Sequence, residues 1–176
     1  MLSPCHDIFR HCPNCQSATI TLIDGARFYC TDCQFTYFHN TATAVAAIIV
    51  VDDEILLTKR GNAPGKGQLD LPGGFVDHGE SLEQALSREI LEELDIHIEN
   101  WQYFTSQPNQ YLYKNINYHT CDTIFVATLA HKPILKLQKN EIAGAEFWPL
   151  HQVPSGKIAF ASLRAAVEQF IAQTAR

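Results

Sequence analysis

Between Gly73 and Ile96 the chain reads GGFVDHGESLEQALSREILEELDI, and this stretch constrains the fold more than any other. Ser81 is a favoured N-cap, and Gln84 three positions on completes a capping box. Leu82, Ala85, Leu86, Ile90 and Leu94 recur at helical intervals, which predicts a helix with one buried stripe. On that helix Glu89 and Glu93 share a face, and Arg88 and Glu92 stand one turn apart, placed for an ion pair. Like charges gathered this closely repel, so their clustering calls for a cation. A hard divalent ion such as Mg²⁺ takes carboxylate oxygens and shares them with phosphate groups. Gly73 and Gly74 let backbone approach a ligand closely. A solvated acidic face would account for the glutamates alone. It would not account for Gly74, Glu80 and Arg88 standing at fixed offsets from them.

The cysteines form a second pattern. Cys12-Pro-Asn-Cys15 and Cys30-Thr-Asp-Cys33 are two CxxC knuckles with 14 residues between them. Each knuckle turns two thiolates toward one point, and two together complete a tetrahedral S₄ shell for Zn²⁺. Ala18 to Tyr29 alternates Thr, Ile, Leu and Phe around Asp24-Gly25, a hairpin signal with a D-G turn. Two knuckles bridged by a hairpin predict a zinc ribbon in residues 1–38. No coordination position is evidently open, so the zinc is read as structural. Cys5, His6 and His11 are read as part of an N-terminal polar segment, and Cys121 as a small core residue.

The 176 residues allow one core of ordinary size plus a small appendage. A net charge of −6 gives no general attraction to nucleic acid, and no basic run flanks the ribbon. The longest apolar run, Ala44 to Val51, is too short to span a bilayer. Met1 to Arg10 lacks the apolar core of a secretion signal, so a cytoplasmic protein is expected. His39-Asn40-Thr41 reads as the hinge into a main domain, residues 39–176. Strands are predicted at Ala44–Val51, Ile55–Lys59, Leu69–Val76, Ile98–Ser106, His119–Leu129 and Ala145–Leu150. A loop is predicted over Asn62–Gln68 and a second helix over Ile158–Ala172. Mixed strands with a central and a terminal helix suggest an α+β fold with a sheet packed between helices.

From Gly74 to Ile96 the pattern resembles the signature of the Nudix hydrolases, which cleave a diphosphate linked to another group. The similarity covers nearly all of residues 40–165 and implies an α/β/α sandwich with a mixed sheet. One position departs: Asp95 stands where the family carries the glycine that closes the helix. A zinc ribbon ahead of such a domain resembles the NADH pyrophosphatase (NAD⁺ diphosphatase) branch. Thr105-Ser106-Gln107-Pro108 falls where that branch contacts the dinucleotide. Glu141 stands at the place of a further metal-binding glutamate, and Ile158-Ala159 at a late substrate-contacting segment. After Pro108 the match breaks, and Tyr111 and Tyr113 replace an aromatic and proline run. Tyrosine can stack on a base or simply pack a strand.

The resemblance implies Mg²⁺ or Mn²⁺ on Glu89, Glu92, Glu93 and Glu141, with Arg88 holding a glutamate in place. It implies substrate contacts from Gly73, Gly74, Ser106, Gln107, Pro108, Tyr111 and Ala159. Glu92 or Glu141 would take a proton from the attacking water. Lys66 is a phosphate neighbour or an ordinary surface lysine. The expected partner is a small-molecule nucleotide, not nucleic acid and not a membrane; a homodimer is implied by the branch alone. NADH or NAD⁺ is the leading substrate. ADP-ribose, other nucleoside diphosphate derivatives, NAD-capped RNA and a non-catalytic nucleotide sensor stay open.

Overall fold

A computed structural model describes residues 9–23, 27–114 and 116–175, with the side chains of 111 and 113 excepted. The chain divides into two compact units: Met1–Ala42 with Gln110–His119, and Thr43–Asn109 with Thr120–Arg176. No helix among the described residues is long and apolar enough to cross a membrane.

The first unit holds a three-stranded antiparallel sheet of β1 (Ile20–Leu22), β2 (Arg27–Cys30) and β3 (Thr36–Phe38). Ile20 pairs with Cys30 and Leu22 with Phe28, the register of a hairpin. Its expected Asp24-Gly25 turn lies outside the described residues, as do Cys5 and His6. The strand β3 was not expected; it pairs Phe28 with Tyr37, whose rings stack 5.2 Å apart.

The remaining strands are β4 (Ala42–Val51), β5 (Glu54–Arg60), β6 (Leu69–Asp70), β7 (Gly73–Phe75), β8 (Gln102–Tyr113), β9 (Ile116–Thr128) and β10 (Ile142–Pro149), which lie in the second unit except for Ala42 and the Gln110–His119 ends of β8 and β9. The order β10-β5-β4-β9-β8 forms one mixed sheet, with β6 against β5 and β7 against β4. Two helices, α1 (Leu82–Leu94) and α2 (Ala161–Thr174), complete the unit. Alternation along β4 explains the layering. Val45, Ala47 and Ile49 pack with Ala85, Leu86, Ile90 and Leu94 of α1. Ala46, Ile48 and Val50 pack with Leu163, Ala166 and Val167 of α2. Successive side chains of a strand point to opposite faces, so one strand feeds two cores and the sheet lies between helices. This is the sandwich expected from the sequence.

Cys121, read as a core residue, is exposed: on β9 it alternates with the buried Thr120 and Asp122 and points the other way. Several boundaries also differ from expectation. The strand predicted over Leu69–Val76 is two short pieces, because Pro72 has no N–H for a ladder. Residues 98–101 are not strand; β8 starts at Gln102 and runs on through Pro108 to Tyr113. Proline is tolerated there because β8 is the sheet edge. The terminal helix begins at Ala161, not Ile158: Ile158 forms a parallel bridge with Leu69 and stays extended.

Candidate functional site

Ser81 caps α1 as its sequence required. Its hydroxyl accepts from the Gln84 N–H at 3.2 Å, and Gln84 Oε1 accepts from the Ser81 N–H at 2.8 Å. Glu93 is buried on the same face of α1 as Ala85, Leu86, Ile90 and Leu94, and Glu89 and Glu93 from that face meet Gly74 and Gly73 of β7. At the far end Asp95 takes the left-handed conformation, φ 57°, and its carboxylate meets Lys136 Nζ at 2.5 Å. The helix therefore closes without the glycine.

The carboxylates differ sharply in their surroundings. Glu93 is buried, and its Oε2 accepts the Gly73 N–H at 3.0 Å. Burial, with Glu89, Asp70 and Glu141 nearby, pushes its carboxyl up to about 8, against the opposing pull of the Gly73 hydrogen bond. Glu89 is also raised, chiefly by burial, with Arg88 opposing and Glu92 and Glu141 adding. Glu92 is half exposed, and the Glu141 side chain is exposed at the start of β10.

Arg88 binds the group together. Its Nε and Nη2 donate to the two oxygens of Glu80 at 2.7 and 2.9 Å, a bidentate fork. Its Nη1 donates to Glu89 at 2.8 Å and to Glu92 at 3.3 Å, and Nη2 also reaches the Phe75 carbonyl at 3.1 Å. The Arg88 cation beside Glu80 holds that carboxyl below its ordinary range, and the guanidinium itself is held charged.

The two glycines are required by contact. Gly74 pairs with Val45 across β4, and a Cβ there would stand 2.5 Å from Glu89 Cδ. Gly73 has φ +143°, and a Cβ would strike the Val45 carbonyl oxygen. The loop and helix thus press backbone against Glu89 and Glu93.

Among the described residues only the cysteines have ligand atoms all within 4.8 Å of one another; the glutamate oxygens do not close to that distance. Arg88 holds Glu89, and the Gly73 N–H holds Glu93. The donor set still fits a hard divalent cation. It is all oxygen, and it includes a buried carboxyl whose ionisation neighbouring acids oppose. Mg²⁺ keeps several waters and takes phosphate oxygens, so it needs no closed protein cage.

The other expected site residues are placed as follows. Ser106, Gln107 and Pro108 lie on the edge strand β8, and no hydrogen bond joins them to the carboxylates. The side chain of Tyr111 lies outside the described residues. The Ala159 N–H donates to the Leu69 carbonyl at 2.9 Å, which ties it to β6, two residues ahead of Leu71-Pro72-Gly73. Lys66 is exposed on the 62–68 loop. Missed by sequence reasoning were Arg60, Asp70 and Asp122. The signal was present: each acid is a lone charge inside an apolar or alternating strand.

In the first unit, Cys12 and Cys30 are buried, and the Sγ atoms of Cys12–Cys33 and Cys15–Cys30 each lie 3.6 Å apart. A tetrahedron of sulfurs about Zn²⁺ has edges of about 3.8 Å from its usual Zn–S length of about 2.3 Å. Gln16 and Gln34, each following the second cysteine of its knuckle, are both left-handed at φ 63° and 61°. Their N–H groups donate to the Cys12 and Cys30 carbonyls, so the two knuckles repeat one turn. Asn14 Nδ2 donates to Cys33 Sγ at 3.6 Å. Four cysteines so placed can hold a metal ion.

Residues 40–170 match the NUDIX domain. The chain is 47% identical over 79 residues to the NAD-capped RNA hydrolase NudC of Yersinia pestis, which covers 45% of this chain and 30% of that protein. The NudC of Yersinia pseudotuberculosis aligns over the same shares. The match thus spans under a third of the length of these curated relatives. Among solved structures, the MutT NUDIX hydrolase from Burkholderia pseudomallei superposes with TM-score 0.64 at 30% identity, over 74% of this chain and 98% of that one. A NUDIX hydrolase from Nitrosomonas europaea superposes with TM-score 0.66 at 20% identity, over 94% and 92%, a likeness of fold alone.

Proposed function

Because the chain belongs to the NUDIX family, we propose that it hydrolyses the diphosphate bond of a nucleoside diphosphate linked to another group. The favoured substrate is an NADH- or NAD⁺-like dinucleotide, split into two mononucleotides. The similarity to the NudC relatives supports that class. The observation that carries the reading is Glu93, a buried acid held by the Gly73 N–H with Glu89, Asp70 and Glu141 close around it.

Glu89, Glu92, Glu93 and Glu141 would hold Mg²⁺ or Mn²⁺, which supplies positive charge at phosphate oxygens and acidifies water. Gly73 and Gly74 let the diphosphate lie against backbone. Arg88 keeps Glu89 and Glu92 oriented and, bound to Glu80 and the Phe75 carbonyl, has no hydrogen-bonding capacity to spare for a phosphate. Glu92 and Glu141, the two carboxylates with exposed side chains, are the candidates to accept the proton of attacking water. Ser106, Gln107, Pro108, Tyr111 and Ala159 would receive the rest of the dinucleotide. The four cysteines would hold structural Zn²⁺, with thiols kept reduced by a cytoplasmic location.

Turnover of NADH, NAD⁺, ADP-ribose, FAD and diadenosine polyphosphates with Mg²⁺ or Mn²⁺ tests this. Glu93→Gln should lose nearly all activity on whichever substrate the parent cleaves. Near-normal turnover by that variant on every substrate would remove the assignment. A second substrate, RNA capped with the same dinucleotide, is favoured by the description of the NudC relatives as NAD-capped RNA hydrolases. Faster cleavage of capped RNA than of free NADH, with binding that weakens as salt rises, would select it.

A further inference from the structure

The seam between β6 and residues 158–162 carries more polar structure than a connection needs. Leu69 bridges Ile158, and the Ala159 N–H donates to the Leu69 carbonyl. Two buried carboxylates, Asp70 and Asp122, stand at this seam. Asp70 is ion-paired with Arg60. The Arg60 guanidinium lies over the Phe160 ring, 4.8 Å from its centroid, and its Nε donates to the Pro64 carbonyl at 2.6 Å. Asp122, on β9, accepts hydroxyls from Ser162 and Thr120, each at 2.6 Å. Ser162 sits in the first turn of α2, and Asp122, Thr120 and Ser162 are all buried.

Such burial is costly, and an apolar seam would hold the fold as well or better. The arrangement has a different consequence. From Asp70 at the end of β6 the chain passes through Leu71 and Pro72 to Gly73, the first residue of β7, whose N–H fixes Glu93. A chain of contacts and covalent bonds therefore runs from Ser162 and Phe160 to the carboxylate cluster. Asp70 lies close enough to Asp122 and Glu93 to interact electrostatically with both.

We propose that Arg60, Asp70 and Asp122 are positioning residues that lock the Ile158–Phe160 segment to β6. They thereby set the span between the far end of a bound dinucleotide and the metal-holding glutamates. This rests on the reading of Ala159 as part of the substrate surface. A dinucleotide is a long, flexible substrate, and a surface held ready for its far end contributes binding that ground state and transition state share. Loss of such binding raises KM and leaves kcat nearly unchanged. Arginine suits the role because its planar fork grips Asp70 while its face stacks on Phe160, which lysine cannot reproduce.

The test is steady-state kinetics of the full chain on NADH with Mg²⁺, with Mn²⁺ affinity measured separately by electron paramagnetic resonance. Ser162→Ala, Asp122→Asn and Arg60→Lys should each raise KM about tenfold while kcat stays within about threefold. Their Mn²⁺ affinity should match the parent. Ser162→Thr, which keeps the hydroxyl, should recover the parent KM. Ser155→Ala removes a hydroxyl, ahead of α2, that bonds Glu168 of α2 at 2.7 Å, and should change nothing. Unshifted KM in Ser162→Ala overturns the positioning role even if Asp122→Asn fails to fold. A loss confined to kcat or to Mn²⁺ affinity overturns it too. A parent that cleaves none of the dinucleotides defeats the functional reading first, and the positioning role with it.

Discussion

Gly74→Ala isolates one contact. The glycine has no left-handed requirement, so the backbone accepts alanine; the obstacle is the Glu89 carboxylate. The new Cβ would stand 2.5 Å from Cδ and 2.7 Å from Oε2, where ordinary contact begins near 3.4 Å. Relief at Cδ requires a shift of about 0.9 Å (3.4 minus 2.5). The Glu89 side chain is only 15% exposed and is bonded to Arg88, so it has little room to retreat. Displacement of about 1 Å in a positioned group costs on the order of 10²-fold in rate, or about 2.7 kcal/mol of transition-state stabilisation. We expect kcat/KM for NADH with Mg²⁺ to fall by about that factor and the Mg²⁺ half-saturation to rise, with thermal stability little changed. Shortening the acid restores space, so Gly74→Ala combined with Glu89→Asp should be more active than the product of the two single effects predicts. Gly74→Ala with parent activity and parent Mg²⁺ dependence would show that the Glu89 carboxylate, as placed here, is not part of the working site.

Three further outcomes follow from the geometry. The Glu93 carboxyl has an ordinary value of 4.5 and a folded value near 8, so its favourable contribution is complete below 4.5 and is lost as pH rises through 8. Glu93→Gln cannot ionise, so in Mg²⁺-free buffer its melting temperature should exceed the parent's by a margin that grows from pH 5 to 9. The margin corresponds to about 3–5 kcal/mol at full extent, and added Mg²⁺ should shrink it; a pH-independent difference would contradict the burial of that acid. Cys30→Ser, or treatment with a strong zinc chelator, should lower zinc from one equivalent per chain to none by atomic emission, with unfolding of the ribbon, since such sites contribute about 10 kcal/mol or more. Asp95→Gly should hold stability within about 1 kcal/mol, because glycine suits the left-handed cap while the exposed Lys136 pair contributes little. Asp95→Val should lose about 1–2 kcal/mol by thermal melt, since a β-branched residue resists that conformation.

What the sequence disclosed, it disclosed through local rules. The capping box, the apolar stripe of α1, the left-handed Asp95 and the turn within each CxxC knuckle depend on residues near one another in the chain. Strand ends were less legible. Pro72 splits a run that reads as continuous, and Pro108 sits inside a strand because that strand is an edge, a fact about sheet order that no local window contains. Ile158 looks helical by period, yet its partner is Leu69, nearly ninety residues away. Arg60, Asp70 and Asp122 escaped notice for the same reason. Their meaning lies in contacts between distant segments, while the glutamates of α1 announce themselves by spacing on a single helix.

The two-faced strand β4 has an implication for how such a chain can vary. Loss or gain of one residue between Val45 and Val50 would hand the side chains on one side of the change to the wrong helix, spoiling both cores in a single event. Insertions and deletions are thereby barred from the middle of the sheet. Changes in length are better borne by the connections between elements than by this strand.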